Sequence, residues 1–481
     1  MNEVTERVKC CHYIVTQQGF LSMAIGKRRK HKQLPLWIAH SDLAPRGGHP
    51  FYSRLNRLFD DDGFDVWLEQ ECTPFFSEAG RPSIPPGVYF RMLFTGYLEG
   101  FQSERSIAWH CSDRMSLREF LGYQIHEKTP DHSSFTIWRQ RLPLELYTKV
   151  FQRILCIVHR HGLVDAYATG VDSTTIEANA SMRRLVRKDT GSSYVEYVKT
   201  LMHEAGQEPG DAADVARFDR KRTGKKLSNR EWQSETDPEA RIAKMKNGTT
   251  HLAYKAEHAV DLATGVMLGV VVHPADQGDT ASIEETLEEV EENLASLGDE
   301  SPDLLCVVTD KGYHKAELIR KLNADKGITT YIPERQDKQK RRWHGDKEAC
   351  REFHGNRRRT RGDHGKQLSR LRSEIVERSF AMIKRSGNLA RMTLRGLENV
   401  SKRYLIHAAA YNLGLLMRVI FGNGTPKGMA DALLHLIFGI FTIIASVFVL
   451  ILPNKPTIKR SFWELTDFSY GCRLQPEIVK I

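Results

Sequence analysis

Between Pro50 and about Gly162 the apolar residues recur at helical spacing. Ile84 to Glu99, Ser103 to Cys111 and Leu117 to Gly122 are amphipathic stretches separated by Gly and short polar turns. Thr129-Pro130-Asp131 leads into a further helix from Ser133 to Leu142, with Asp131 or Ser133 as its cap, and Leu144 to Val158 gives another. Short helices in series describe either a helix-turn-helix that enters a major groove or a bundle that packs and dimerises. At Val164 the period changes. Val164 to Asp172 reads as a strand closed by a carboxylate, and a polar, charged stretch follows over 181–250. His251 to Leu262 and Val266 to His273 are strand-like runs joined through Ala263-Thr264-Gly265, a hairpin pattern. A Glu-rich helix from Thr280 to Ala295 precedes Leu304 to Asp310, a compact apolar run of the kind that fills a central strand, again closed by Asp. A helix (Lys315 to Asn323), a strand (Ile328 to Pro333) and two more helices (Ser369 to Arg385, Lys402 to Met417) complete the pattern. The order predicts an α/β fold, a mixed sheet flanked by helices behind an all-helical region.

Composition narrows the class. The 481 residues are 41% hydrophobic and 27% charged, which excludes a mainly disordered or collagen-like chain. A net charge of +10 favours a polyanionic partner, nucleic acid first. The eight cysteines are scattered with no C-x-x-C pair, so neither a disulfide scaffold nor a zinc ribbon is indicated, and a reducing cytoplasm is expected. Residues 1–49 form a basic segment without the order of a signal peptide, and translation is expected to start at Met23, ahead of the run Lys27 to Lys32. At the other end, 419–481 holds Ala432 to Leu452, 21 residues with no formal charge. That run is long enough to cross a bilayer. An apolar helix packed on a soluble body, or a translated tail with no fixed structure, has the same pattern, and the soluble, nucleic-acid-like chain upstream favours these over membrane association.

From Arg335 to Arg372 there are fourteen Lys and Arg against five Asp and Glu, interleaved with Trp343 and Phe353. Such a run suits a phosphate-tracking surface, and a solvated loop is the plain alternative. Asp172 and Asp310, each closing an apolar strand 138 residues apart, are candidates for one site if their strands are neighbours. Carboxylates brought that close repel unless a cation lies between them, and hard oxygen ligands favour Mg²⁺ or Mn²⁺. With Glu377 on the helix after the basic run, three carboxylates suffice for two ions, one activating an attacking oxygen and one stabilising the leaving oxygen. His258, Asp261, His273, Asp276 and Asp279 are assigned to strand ends and an Asx-type turn, without a catalytic role. Tyr313 is left between a DNA contact and a packed aromatic.

Several phrases together resemble a known family: Pro50-Phe51-Tyr52, Thr129-Pro130-Asp131, Val171-Asp172-Ser173-Thr174, the run Ala253 to Asp261, His273 to Thr280, Thr309-Asp310-Lys311-Gly312-Tyr313 and Val376-Glu377-Arg378-Ser379-Phe380. From about Gly26 to Arg418 the chain resembles the DDE transposases of bacterial insertion sequences, in the IS4/IS5-type grouping and most closely the IS1182-like branch. The resemblance implies an RNase H-like catalytic core over 163–418, with insertions at 181–250 and 335–372, preceded by a helical DNA-binding or dimerisation domain over 50–162. It implies Asp172, Asp310 and Glu377 as catalytic metal ligands for two Mg²⁺ or Mn²⁺ ions. It also implies a DNA-contacting Lys seven residues after the Glu, matched by Lys384 on the same face of an uninterrupted helix. The family's Tyr and Arg upstream of the Glu are replaced by Arg370 and Ser373, with Arg370 and Arg372 as nearby substitutes. Glu374 is the rival third ligand, and Glu377 is preferred because it alone has the Lys spacing.

The resulting expectation is a cytoplasmic, nucleoid-associated transposase acting on double-stranded DNA as a homodimer. It would cut at terminal inverted repeats and join the freed ends to a target, with Arg357, Arg358, Arg359, Arg361, Arg370, Arg372 and Lys384 on DNA. The alternatives are a metal-dependent nuclease of the same fold that does not join, and a DNA-binding protein whose catalysis has decayed.

Overall fold

The computed structural model describes residues 48–77, 83–223, 227–245, 248–335, 343 and 345–428. The basic segment before residue 48, with Met23, and the apolar run 432–452 lie outside the described residues. Seven helices come first: α1 (Pro50–Asp62), α2 (Phe64–Cys72), α3 (Pro86–Glu99), α4 (Glu104–Asp113), α5 (Met115–Phe120), α6 (His132–Arg141) and α7 (Leu144–Arg160). Local chemistry sets their starts. The Ser103 side chain accepts from the Ser106 amide at the head of α4, and Asp131 accepts from the Ser133 amide at 3.0 Å at the head of α6. Their apolar faces meet in an aromatic core in which Phe59 stacks on Phe64 and Tyr89 on Trp138.

The sheet begins with β1 (Ala168–Glu177). The polar stretch after it is a folded insertion: β2 (Leu185–Arg187), α8 (Tyr194–Glu204), α9 (Ala212–Lys221), β3 (Trp232–Ser234) and β4 (Arg241–Lys244). Two of its helices close on a small core of Val198, Met202 and Val215, and Ser193 with Glu196 forms a reciprocal capping box at the start of α8. Next come β5 (Thr250–Asp261), β6 (Met267–Pro274), α10 (Asp279–Ala295), β7 (Cys306–Val308), α11 (Ala316–Arg320), β8 (Thr329–Tyr331), α12 (Lys347–Arg361), α13 (Asp363–Ala381) and α14 (Leu397–Phe421). In the sheet β5 pairs with β6 and β4 on one side and with β1 on the other, all antiparallel, while β1, β7 and β8 run parallel.

Three differences from the sequence reading bear on the site. Asp172 does not close its strand: β1 continues five residues to Glu177 because β5 pairs with it along that whole length. Most of the described basic run is helix, α12 and the start of α13, rather than loop. The last helix of the pair is also interrupted, since a π turn over Met382–Ser386 follows α13 and widens the backbone just where Lys384 lies.

Successive residues of β5 point to opposite faces, as the pleat requires. Glu257 meets Ser282 and Thr286 of α10, whereas His258 reaches Ser379 of α13 and Tyr404 of α14. Helix α14 is the one described helix long and apolar enough to cross a membrane, yet most of it is buried, against α7, α3 and β6. Asn412 fixes it to the sheet, donating to the Met267 carbonyl at 2.8 Å and accepting from the Met267 amide at 2.9 Å.

Three buried histidines make this core acid-labile. Burial first, then the charge of Lys384, pushes His258 down to about 3, and burial with Lys255 pushes His273 down to about 4. His407 is driven well below its ordinary value by burial and by Arg403, and neither of its ring nitrogens has a partner among the described residues. Each folded-state imidazole binds a proton less tightly than its unfolded counterpart, so stability falls as pH drops below about 6.5, by roughly 1.4 kcal/mol per unit for each histidine. Replacing His407 by Phe is expected to stabilise the protein at neutral pH by about 1 kcal/mol. Its advantage should widen by up to about 2 kcal/mol between pH 6.5 and 5, measured by denaturant unfolding. An advantage that stays constant with pH would contradict this.

Candidate active site

The parallel register of β1 and β7 sets the centre of the site. Ala168, Thr169 and Gly170 pair with Cys306, Val307 and Val308, so Asp172 and Asp310 each lie two residues past the last pair, on adjacent strands running the same way. The proximity is felt electrically. Burial raises the Asp172 pKa, the Arg372 guanidinium and the Ser173 amide pull it down, and the charge of Asp310 pushes it up again. Arg372 Nη1 lies 2.6 Å from Asp172 Oδ2, and Asp172 Oδ1 accepts from the Ser173 amide at 2.8 Å. Asp310 Oδ1 accepts from the Gly312 amide at 2.7 Å, which starts a short 3₁₀ turn over Lys311–Tyr313.

Asp279, which its sequence neighbours assign only to a turn, lies at this site. A Cβ built on Gly312 would sit 2.8 Å from both Asp279 Oδ2 and Asp310 Oδ1, so the two carboxylates flank that glycine. Asp279 Oδ1 accepts from Ser173 Oγ at 3.0 Å and from Lys255 Nζ at 3.1 Å. Lys255 is itself buried and also donates to the Gln277 carbonyl and to Ser282. Behind it, Glu257 is fully buried and accepts from Ser282, Thr286 and Tyr313, whose hydroxyl is 2.6 Å away. Tyr313 is therefore a packed aromatic. The signal for Asp279 was its place at the head of a helix after a hairpin, a common location that does not single out a site.

Helix α13 crosses the opposite face of β1. Arg372 and Val376 pack over Gly170, which leaves no room there for a side chain. Ser379 donates to the Val376 carbonyl at 2.7 Å, so it accepts from His258 Nδ1–H, and Nε2 accepts from the Tyr404 hydroxyl at 2.7 Å. His258 is thus a neutral anchor for the helix that carries Glu377. Asp261 is the turn residue expected, accepting from the Ala263 amide and from Thr264.

Glu377 follows Val376 and is exposed, and Glu374, also exposed, pairs with Arg378 one turn on. Among the described residues no group of three or more His, Cys, Asp or Glu side chains is close enough to hold a metal ion. The expected three-carboxylate set is therefore only partly gathered: Asp172 and Asp310 are together, and Asp172 is neutralised by Arg372. Lys384 itself lies in the π turn over Met382–Ser386. Lys384 turns onto β1, donating to Thr174 Oγ1 at 2.6 Å and to the Thr175 carbonyl at 2.9 Å.

Of the arginines expected on DNA, three are engaged in the fold, Arg372 with Asp172 among them. Arg357 grips Glu334 with two bonds, at 2.8 and 2.6 Å, and Arg359 donates to the Thr330 carbonyl at 3.1 Å. Arg358, Arg361 and Arg370 are exposed. The donor set at the centre consists of hard carboxylate oxygens, partly buried and mutually repelling, which fits a Mg²⁺ or Mn²⁺ ion.

Comparison with known proteins gives two family matches. A model described as a transposase DDE domain matches residues 206–413, which include Asp310, Glu377 and Lys384 and begin after Asp172. A model described as a transposase domain (DUF772) matches residues 39–141, most of the helical region. No curated protein and no solved structure matches the chain. With both transposase domains in tandem on one chain, the protein belongs to the DDE transposases, of the IS1182 type.

Proposed function

We propose that the chain binds the terminal inverted repeats of its element, hydrolyses a phosphodiester at each end to free a 3′-OH, and joins that hydroxyl to target DNA. The observation that carries this reading is the side-by-side placement of Asp172 and Asp310 on adjacent parallel strands, in a sheet we read as an RNase H-like core. Asp172, Asp310 and, from α13, Glu377 would hold two divalent ions, which when bound supply activation of the attacking oxygen and stabilisation of the leaving one. The chain's own residues do the positioning. Lys255 and Ser173 hold Asp279 beside Asp310, the Gly312 amide orients Asp310, and Arg372 restrains Asp172. His258 fixes the turn of α13 that follows Glu377.

The helical unit over 50–162 and the exposed arginines of α12 and α13 would hold the DNA, and handling two ends together calls for a homodimer. Since Arg357 and Arg359 are engaged internally, removing only Arg358 and Arg361 is expected to weaken duplex binding without loss of stability. The slope of log K against log salt should shrink by about 2, at 0.9 per phosphate contact. An unchanged slope would return these two residues to a solvated surface.

The reading is tested by supplying the purified protein with Mg²⁺, a pre-cut element end bearing a 3′-OH, and a supercoiled target plasmid. Joined product is expected. A protein that nicks DNA but never yields joined product would be a nuclease of the same family.

A further inference from the structure

At the far end of β1 from Gly170 the chain forms a second basic feature, outside the arginines of α12 and α13. A cleft of about 580 Å³, the size of a ligand site rather than a crevice between side chains, is walled by Arg183 and Arg184 on one side and by Arg391 and Arg395 on the other. Glu177 and His251 also line it. All four arginines are exposed, and one carboxylate faces them: Glu177 Oε1 lies 3.5 Å from Arg391 Nε. Arg183, Arg184 and Arg395 have no ion pair among the described residues.

The walls are held in place by the main chain. The Glu177 amide donates to the Ala390 carbonyl at 3.2 Å and the Met392 amide to the Glu177 carbonyl at 2.8 Å, so the 390–392 segment pairs with the end of β1. Asn179 donates to the Thr393 carbonyl at 2.7 Å, and Arg395 Nε donates back to the Asn179 carbonyl at 3.1 Å. The other wall is the 3₁₀ turn over Met182–Arg184 that opens the insertion. With the backbone of both walls fixed, meeting an anion orders only the arginine side chains and not the segments that carry them.

The cleft lies in line with the candidate catalytic pair. From Asp172 to Glu177 is five residues of extended strand, about 17 Å at 3.3 Å each. Lys384 touches β1 between them, at Thr174 and Thr175. Positive groups spaced along one strand match a ligand whose charges are also spaced along a line, and DNA carries one phosphate per 3.4 Å of each strand. We infer that this cleft binds the DNA backbone about five phosphates from the bond that is cut. The inference rests on the reading of Asp172 and Asp310 as a DNA-cutting site. It also gives the 181–250 insertion a role, since that segment builds one wall of the cleft.

The test is duplex binding by the full chain across 50–300 mM salt, using a labelled 30-bp duplex and fluorescence anisotropy. Three proteins are compared: wild type, the cleft variant R183Q/R184Q/R391Q/R395Q, and a control variant K199Q/R217Q/R220Q/K221Q. The control removes the same charge from exposed positions on α8 and α9. Loss of two to four phosphate contacts lowers the salt slope of the cleft variant by about 2 to 3.5, while the control keeps the wild-type slope. The pairs R183Q/R184Q and R391Q/R395Q should each give part of the change, which covers the case in which the fourfold variant fails to fold. A cleft variant with the wild-type slope, or a control that loses as much, overturns the inference and leaves the transposase reading standing. Wild-type protein that does not bind the duplex at all overturns both.

Discussion

Replacing Asp172 or Asp310 by alanine is expected to abolish DNA cleavage, a loss on the order of 10³-fold or more, with duplex binding retained. The register of β1 and β7 sets the two carboxylates just past its last pair, and neither belongs to the hydrophobic core. Removing Asp310 also removes a charge that pushes Asp172 up, so Asp172 in that variant would be more readily ionised and more tightly paired with Arg372. The fold should survive both changes. Asp172 and Asp310 are half-buried; each variant loses a bond to a neighbouring backbone amide, at Ser173 or Gly312, and Asp172→Ala also loses the ion pair with Arg372, so its melting temperature should fall more than that of Asp310→Ala. Asparagine is the sharper substitution for Asp172. It keeps the shape and an oxygen for the Ser173 amide but lacks the charge that a divalent ion requires, so Asp172→Asn should bind DNA like wild type and still fail to cut. Normal cutting by either alanine variant would remove that residue from the site.

Gly312→Ala should cost about 10²-fold in cleavage while leaving the melting temperature nearly unchanged. The added methyl group would lie 2.8 Å from Asp279 Oδ2 and from Asp310 Oδ1, too close for either to remain where it is. Asp279 has little freedom to yield, since Ser173 and the buried Lys255 hold its other oxygen. Asp310 is therefore the group that moves, away from the Gly312 amide and from its position beside Asp172. A displacement of about 1 Å at a reacting centre is enough for a loss of that size. The effect on stability is small because the clash involves the ends of side chains that are partly exposed rather than packed core. Asp279→Ala removes the partner of Ser173 and of the buried Lys255 and is expected to lower cleavage by that route, with a smaller effect from Asp279→Asn, which retains the bond from Ser173. Wild-type cleavage by Gly312→Ala would show that the spacing of Asp279 and Asp310 is not used.

Some of this architecture was legible in the alternation of residues. The β5–β6 hairpin, the helix over Asp279–Ala295 and the cap at Asp131 follow from patterns of a few residues, and each is present within a residue or two of its expected bounds. The adjacency of Asp172 and Asp310 was a consequence of two apolar strands in one sheet, and the register fulfils it. What sequence could not give were features that depend on distant packing. Leu304 and Leu305 extend the apolar run of β7 but are outside the paired residues, and Leu305 is half exposed. The π turn at Met382–Ser386 adds one residue to a turn without disturbing the apolar spacing, and the contact of Lys384 with Thr174 and Thr175 of β1 has no local signature. Asp279 is brought to the site by the crossover from β6 into α10, more than a hundred residues after Asp172, and its neighbours in sequence describe only a turn. Arg372 was one of two substitutes for a missing family arginine, and three-dimensional contact with Asp172 distinguishes it from Arg370.

Asp172, Asp310 and Glu377 are proposed as a metal-dependent site that cuts DNA at the element's end. Its most direct test is cleavage of a labelled element end joined to flanking DNA, in Mg²⁺ and in EDTA, by wild type, Asp310→Ala and Glu377→Ala. Cutting at the element boundary is expected from wild type in Mg²⁺ alone, and none from either variant although both still bind the DNA. Cutting in EDTA, or cutting by Asp310→Ala at the wild-type rate, would contradict this proposal.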